Sequence, residues 1–95
     1  MLFEWDENKR KANLAKHQID FRDVRGIFQG PVFEKTDSRS GEDRILAIGL
    51  MEGIAIVVVY VMRVERRRII SARRANRDER YDYQDHLEAT GKRPE

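Results

Sequence analysis

Hydrophobic positions along this chain change period twice, and each change marks a change of element. From Glu7 to His17 ("ENKRKANLAKH") apolar residues are sparse, with Ala12, Leu14 and Ala15 forming a thin stripe among good helix formers. Asp6 stands where a side-chain oxygen can accept from the first free amides, so a helix is expected, held more by propensity than by burial. "QID" interrupts the pattern. Asp20 then caps a second helical segment, Phe21 to Phe28, in which Phe21, Val24 and Phe28 recur at i, i+3 and i+7, and Gly30 and Pro31 end it. Ahead of both, "LFEW" (Leu2 to Trp5) is short, aromatic and alternating, which fits an edge strand or an anchored N-terminus.

From Val32 the pattern becomes extended. "VFEKTD" reads as a strand, "SRSGE" as a loop, Arg44 to Met51 as a second strand and "EG" as a tight turn of two residues. "IAIVVVYVM" (Ile54 to Met62) is β-branched and apolar at successive positions, the mark of a central strand covered on both sides. A fourth strand runs from about Arg67 to Ala72. Simple alternation puts Arg67, Ile69, Ser71 and Arg73 on one face and Arg66, Arg68, Ile70, Ala72 and Arg74 on the other, so the charge gathers at the strand's two ends. "NRDE" (Asn76 to Glu79) fits a capping box, opening a third helix from Arg77 to about Ala89 with Tyr83 and Leu87 at i, i+4.

These elements predict a small α+β domain: two N-terminal helices, a four-stranded, mostly antiparallel twisted sheet and a C-terminal helix. At 95 residues there is room for one domain, placed at 1–90 with a flexible tail at 91–95. The chain has no cysteine, which removes disulfides, thiolate metal sites and cysteine nucleophiles together. The opening becomes charged at Glu4, unlike a signal peptide, and no apolar run reaches the roughly 18 residues of a membrane span. A soluble cytoplasmic protein with no membrane contact is expected.

Charge alters the picture through its distribution. Between Val61 and Arg80 eight arginines face three acids, a net of +5, while the whole chain carries only +2 and the remainder therefore −3. A polyanion-binding face and a solvated strand-and-helix surface both fit that asymmetry. Only His17 and His86 are available to a metal, at no ligand spacing, and neither a nucleophile elbow nor a phosphate loop is present, so no metal and no cofactor are expected.

Arginine remains. Its planar fork matches two phosphate oxygens and can stabilise the extra charge of a pentacoordinate phosphorane, but it is a poor base. A metal-free ribonuclease needs another group to take the 2′-hydroxyl proton. His17, Glu65, Glu79, Tyr60, Tyr81 and Tyr83 are the candidates, with Lys16 as an acid or charge stabiliser. Phe3 and Trp5 suit either base stacking or core anchoring.

Two longer stretches carry a resemblance. "FEWDENKRKANLAKHQIDF" is similar to the opening of the BrnT toxin family, through Phe3, Trp5, Asp6, Lys9, Asn13, Lys16, His17, Ile19 and Phe21. "RIISARRANRDERYDY" resembles the family's closing motif, through Arg68, Ile69, Ile70, Ser71, Ala72, Arg73, Ala75 and Glu79, and "GEDRILAIGL" looks like its second strand. Asn76 stands where Thr or Ser is frequent, and Gln18 where glycine commonly ends the first helix. The resemblance implies a RelE-like ribonuclease of a type II toxin–antitoxin system. Such a toxin cleaves RNA, halts translation and is neutralised by a BrnA-like antitoxin, through which alone it meets DNA. The matched residues placed for RNA cleavage are Lys16, His17, Arg68, Arg73 and Glu79, with Arg66, Arg67, Arg74 and Arg77 as neighbouring RNA-binding charge. The rival expectation is a non-catalytic basic module that binds nucleic acid or an acidic antitoxin.

Overall fold

The computed structural model describes residues 2–38 and 41–92. In chain order the elements are β1 (Leu2–Trp5), α1 (Glu7–His17), a 3₁₀ helix (Phe21–Gln29), β2 (Phe33–Asp37), β3 (Arg44–Met51), β4 (Ile54–Arg63), β5 (Arg66–Arg74) and α2 (Arg77–Thr90). The middle of the expected "SRSGE" loop and the last three residues of the expected tail lie outside the described residues.

The sheet has five strands in the order β1-β5-β4-β3-β2, one more than expected. The additional strand is "LFEW". It pairs with β5 in parallel, so the sheet is mixed, while the other neighbours are antiparallel. Glu52 and Gly53, both at positive φ, make the tight turn between β3 and β4.

β4 is central and covered on both faces, as its composition indicates. Ile56, Val58 and Tyr60 join the core beneath the 3₁₀ helix, whereas Val57 and Val59 meet Tyr83 and Leu87 of α2. The α2 helix is further fixed by the Tyr83 hydroxyl, which donates to the Pro31 carbonyl at 2.8 Å, and by the His86 ring, 4.8 Å from that of Phe33.

The second helical segment differs from its expected form. A 3₁₀ helix repeats every three residues, so Phe21, Val24 and Ile27 stack in one row and are all buried, while Phe28 is only partly covered. An α-helical period would have chosen Phe28. Asp20 caps the segment, accepting from the Arg22 amide at 2.9 Å, and its carboxylate also takes the Arg22 side chain at 2.7 Å and Arg10 at 3.0 Å. The Arg22 hydrogen bonds, working against burial, lower the Asp20 carboxyl to about 2 from an ordinary 3.8. Because the folded value lies below the unfolded one, the stabilisation is complete above about pH 4 and fades as pH falls toward 2. Melting curves between pH 5 and 2 should therefore show an acid-induced loss of stability that Asp20→Asn diminishes. An unchanged acid limb in that variant would rule the assignment out.

Helix α1 buries a polar face. Leu14 is 38% exposed and Ala12 and Ala15 are exposed, while Arg10 and Asn13 are buried. Asn13 explains the inversion. β1 ends at Trp5, opposite Ile69, and α1 takes over the edge of β5, where the Asn13 side chain donates to the Ala72 carbonyl at 2.9 Å and accepts from the Ala72 amide at 3.1 Å. A side-chain amide thus closes the strand edge as a neighbouring peptide would.

The helix stops at Gln18, which holds φ 58° and ψ 29° while its amide donates to the Leu14 carbonyl. That left-handed conformation strains a residue with a Cβ. Gln18→Gly is expected to raise stability by about 0.5–1 kcal/mol, measurable in urea titrations; a loss of stability would contradict it.

Candidate nucleic-acid interface

The interface is built on β5, and one backbone irregularity decides which arginines share a face. Along β4, Val59 and Tyr60 are consecutive, but their partners on β5 are Ser71 and Ile69, so Ile70 is an extra residue in a β-bulge. Beyond the bulge the side-chain alternation reverses. Ile69 and Ala72, three residues apart, both enter the core beneath the 3₁₀ helix. Arg68, Ser71 and Arg73 stand opposite Val61, Val59 and Val57, alternate residues of β4, and therefore share the face that α2 partly covers. Simple alternation separates Arg68 from Arg73; the bulge unites them.

Each of these arginines already holds a carboxylate. Arg73 donates through both terminal nitrogens to Glu79, at 2.7 and 2.8 Å. Glu79 also accepts from the Asn76 amide at 2.8 Å while Asn76 accepts from the Glu79 amide, which completes the expected capping box. The Arg73 fork, opposed by burial and helped by the Asn76 amide, holds the Glu79 carboxyl below its ordinary value, and Glu79 in turn raises the Arg73 guanidinium. Glu79 is thus a saturated, ionised acceptor, suited to orienting Arg73 and poorly suited to taking a proton. Arg68 donates to Glu4 at 2.9 Å, and Arg66 lies 3.6 Å from the same carboxylate. At a strand rise of about 3.3 Å per residue, the backbones of Arg68 and Arg73 stand roughly 13–16 Å apart, and their side chains are held by different acids.

Between them, beside the bulge, α1 and β5 border a shallow, open cleft of about 310 Å³ lined by Lys9, Ala12, Asn13, Lys16, His17, Ile70 and Ser71. Lys16 and His17 are brought together with Ser71 there. Their helix stripe, at spacings of three and four residues from Lys9, is aimed at β5 by the Asn13 clamp. Ala12 leaves the opening between the two lysines.

Arg67 is set apart from this group. It lies on the opposite face, its guanidinium carbon 4.0 Å from the centre of the Phe28 ring, 5.4 Å from Tyr60 and 5.7 Å from Phe3. That is a cation stacked over core aromatics. Arg74 and Arg77 are exposed, and their guanidinium groups form no ion pair with a described residue.

Several proton-transfer candidates have structural duties. The Tyr60 hydroxyl donates to Glu34, and burial together with that bond pushes its pKa up. Burial raises Tyr83 likewise. Tyr81 is 73% exposed on α2, and Glu65 occupies the β4–β5 turn at φ 62°. Trp5 packs edge-on against Phe21 and Phe3 lies against Phe28, so both aromatics anchor the core. Lys9, Asn13 and Glu4 join the site without having been singled out by charge or motif chemistry. Asn13 and Lys9 sit within the family-like opening stretch, whereas Glu4 depends on a parallel register that no local pattern announces.

Among the described residues no three His, Cys, Asp or Glu side chains gather as metal ligands, and no helix is long and apolar enough to cross a membrane. Residues 5–79 match a family model described as ribonuclease toxin, BrnT, of type II toxin-antitoxin system. A search of curated proteins found no match.

Proposed function

Because this chain belongs to the BrnT ribonuclease toxins of type II toxin–antitoxin systems, we propose that it cuts RNA on the β5 face by a metal-independent attack of a 2′-hydroxyl on the adjacent phosphodiester. The observation that carries this reading is the bulge at Ile70, which sets Arg68 and Arg73 on one face on either side of Ser71, next to the cleft that holds Lys16 and His17. A single strand running along β5 places its reacting phosphate between the cleft and Arg73, and a flanking phosphate at Arg68. His17 takes the 2′-hydroxyl proton, histidine being the residue type suited to proton exchange near neutral pH. The 2′-oxygen bonds to phosphorus, the bond to the 5′-oxygen breaks, and Lys16 protonates the leaving oxygen. The products are a 2′,3′-cyclic phosphate and a free 5′-hydroxyl.

Arg73 meets the developing charge on the phosphorane with the guanidinium hydrogens that Glu79 leaves open, and Glu79, which fixes the plane of the group, acts as a positioning residue. Arg68, Arg66 and Arg77 hold flanking phosphates, while Arg74, opposite Ile56 on the other face of β5, adds charge from the strand's end. Arg67 contributes charge from behind the sheet through its stack on Phe28. A type II toxin is held in check by a protein antitoxin. A BrnA-like, DNA-binding partner that covers this face, in the cytoplasm, would block RNA and keep DNA contact to itself.

The test is digestion of purified total RNA by the full chain in EDTA, with analysis of the new ends. Cyclic phosphate ends, missing when His17→Ala is used, are the expected result. Cleavage abolished by EDTA would overturn the metal-free step. RNA binding without cleavage, in the presence and absence of ribosomes, would instead favour the non-catalytic module.

A further inference from the structure

The parallel register of β1 on β5 sets Glu4 directly opposite Arg68. Its carboxylate accepts from Arg68 at 2.9 Å and lies 3.6 Å from Arg66, with the Glu4 side chain 27% exposed, Arg68 34% and Arg66 53%. One acid therefore faces two of the arginines at the same end of β5. Its situation differs from that of Glu79, which is built into a helix cap and cannot leave Arg73 without opening the start of α2. Among the described residues, the Glu4 side chain bonds to these arginines alone.

We propose that Glu4 is an internal competitor for RNA phosphate: it holds Arg68 extended and oriented while the face is empty, and yields the guanidinium to a phosphate oxygen when RNA binds. The inference rests on the reading of the β5 face as the RNA site. Carboxylate and phosphate present the same pair of acceptor oxygens to an arginine fork, so the exchange keeps the hydrogen bonds and changes only their owner. Partial exposure makes the exchange easy, because a wet ion pair is weakly held and water can solvate the carboxylate once it is released. The displaced carboxylate remains beside the bound strand and repels it. Glu4 thus selects for ligands that carry several phosphates, since a lone anion at Arg68 gains no more than Glu4 already supplies.

The experiment measures binding of the full chain to a mixed-sequence single-stranded RNA made wholly of 2′-O-methyl nucleotides, which lack the attacking hydroxyl, by fluorescence anisotropy over a range of salt concentrations. Glu4→Gln keeps the shape and one acceptor of the side chain but removes its charge, and thermal melting confirms that the fold is intact. Affinity should rise about fivefold or more at low salt, with a logarithmic salt dependence steeper by about 0.7. In an Arg68→Ala background the same substitution should change affinity less than about twofold, because the contested guanidinium is gone.

Three results would overturn the proposal, each in a different way. If Arg68→Ala weakens binding yet Glu4→Gln leaves it unchanged or weaker, Glu4 only positions Arg68 and the RNA-face reading stands. An equal gain in both backgrounds would mean a long-range charge effect with no competition at Arg68. If Arg68→Ala binds RNA as well as the parent, Arg68 is no phosphate contact and the reading of this end of the face fails along with the proposal.

Discussion

Replacing Asn13 with alanine is expected to lower stability by about 3 kcal/mol, since buried backbone groups left without partners cost about 1–3 kcal/mol each. For a domain of this size that corresponds to a fall in melting temperature of roughly 12–24 °C. Asn13 is buried and makes three hydrogen bonds: two donated, to the carbonyls of Ile19 and Ala72 at 3.0 and 2.9 Å, and one accepted from the Ala72 amide at 3.1 Å. Alanine satisfies none of them, and the strand edge it abandons is covered by α1, so water cannot easily replace the amide. Asn13→Asp should also destabilise strongly, because a carboxylate still accepts from Ala72 but can donate to neither carbonyl. Leu14→Ala provides the contrast. Leu14 is the most hydrophobic residue of α1, yet it is 38% exposed, and its loss should cost well under the Asn13 change. Circular-dichroism melts of the three variants decide the matter, and an Asn13→Ala protein melting within a few degrees of the parent would sink the account of how α1 is held.

Asn13 also shows why parts of this fold are legible in sequence and others are not. Features set by local chemistry can be read directly. The capping box at Asn76 and Glu79, the covered central strand β4 and the Tyr83–Leu87 face of α2 all follow from side chains acting within a few residues of themselves. Features set by a distant partner cannot. The polar face of α1 looks like a solvent face until the open edge of β5 is present to receive Asn13. "LFEW" becomes a strand because β5 offers its edge, and its parallel direction comes from chain routing. The 3₁₀ form of Phe21–Gln29 changes the buried position from Phe28 to Ile27, a distinction of one residue that α-helical counting misses.

The candidate site depends most on such distant terms. All seven arginines of the run from Arg66 to Arg80 are visible in the sequence, but their division is made by the bulge at Ile70 and the stacking of Arg67 on Phe28. A bulge in a β-branched stretch has no distinctive composition here, since Ile70 resembles its neighbour Ile69. The two acids that hold Arg68 and Arg73 come from opposite ends of the chain. One, Glu79, could be expected from the cap, but its second duty toward Arg73 arises from the turn between β5 and α2.

That second duty leads to the largest effect expected on activity. Arg73→Ala should reduce RNA cleavage about 10²–10³-fold, the scale found when a preorganised donor to a developing oxyanion is removed. Arg73→Lys is the more informative substitution. A lysine retains the positive charge and can still pair with Glu79 through one contact, but it lacks the planar fork that now spans both Glu79 oxygens. If Arg73 merely attracts the RNA backbone, the lysine protein should cut at close to the parental rate and lose little affinity. If the fork stabilises the phosphorane, cleavage should fall nearly as far as with alanine while affinity for uncleavable RNA stays within a few-fold of the parent. The two quantities must be measured on the same preparations, with melting temperatures alongside, because loss of the Arg73–Glu79 pair also loosens the start of α2. A rate that follows affinity across both variants would assign Arg73 to binding alone. A rate that falls without it places Arg73 at the reacting phosphate, and makes the bulge that sets it on the same face as Ser71 part of the catalytic apparatus.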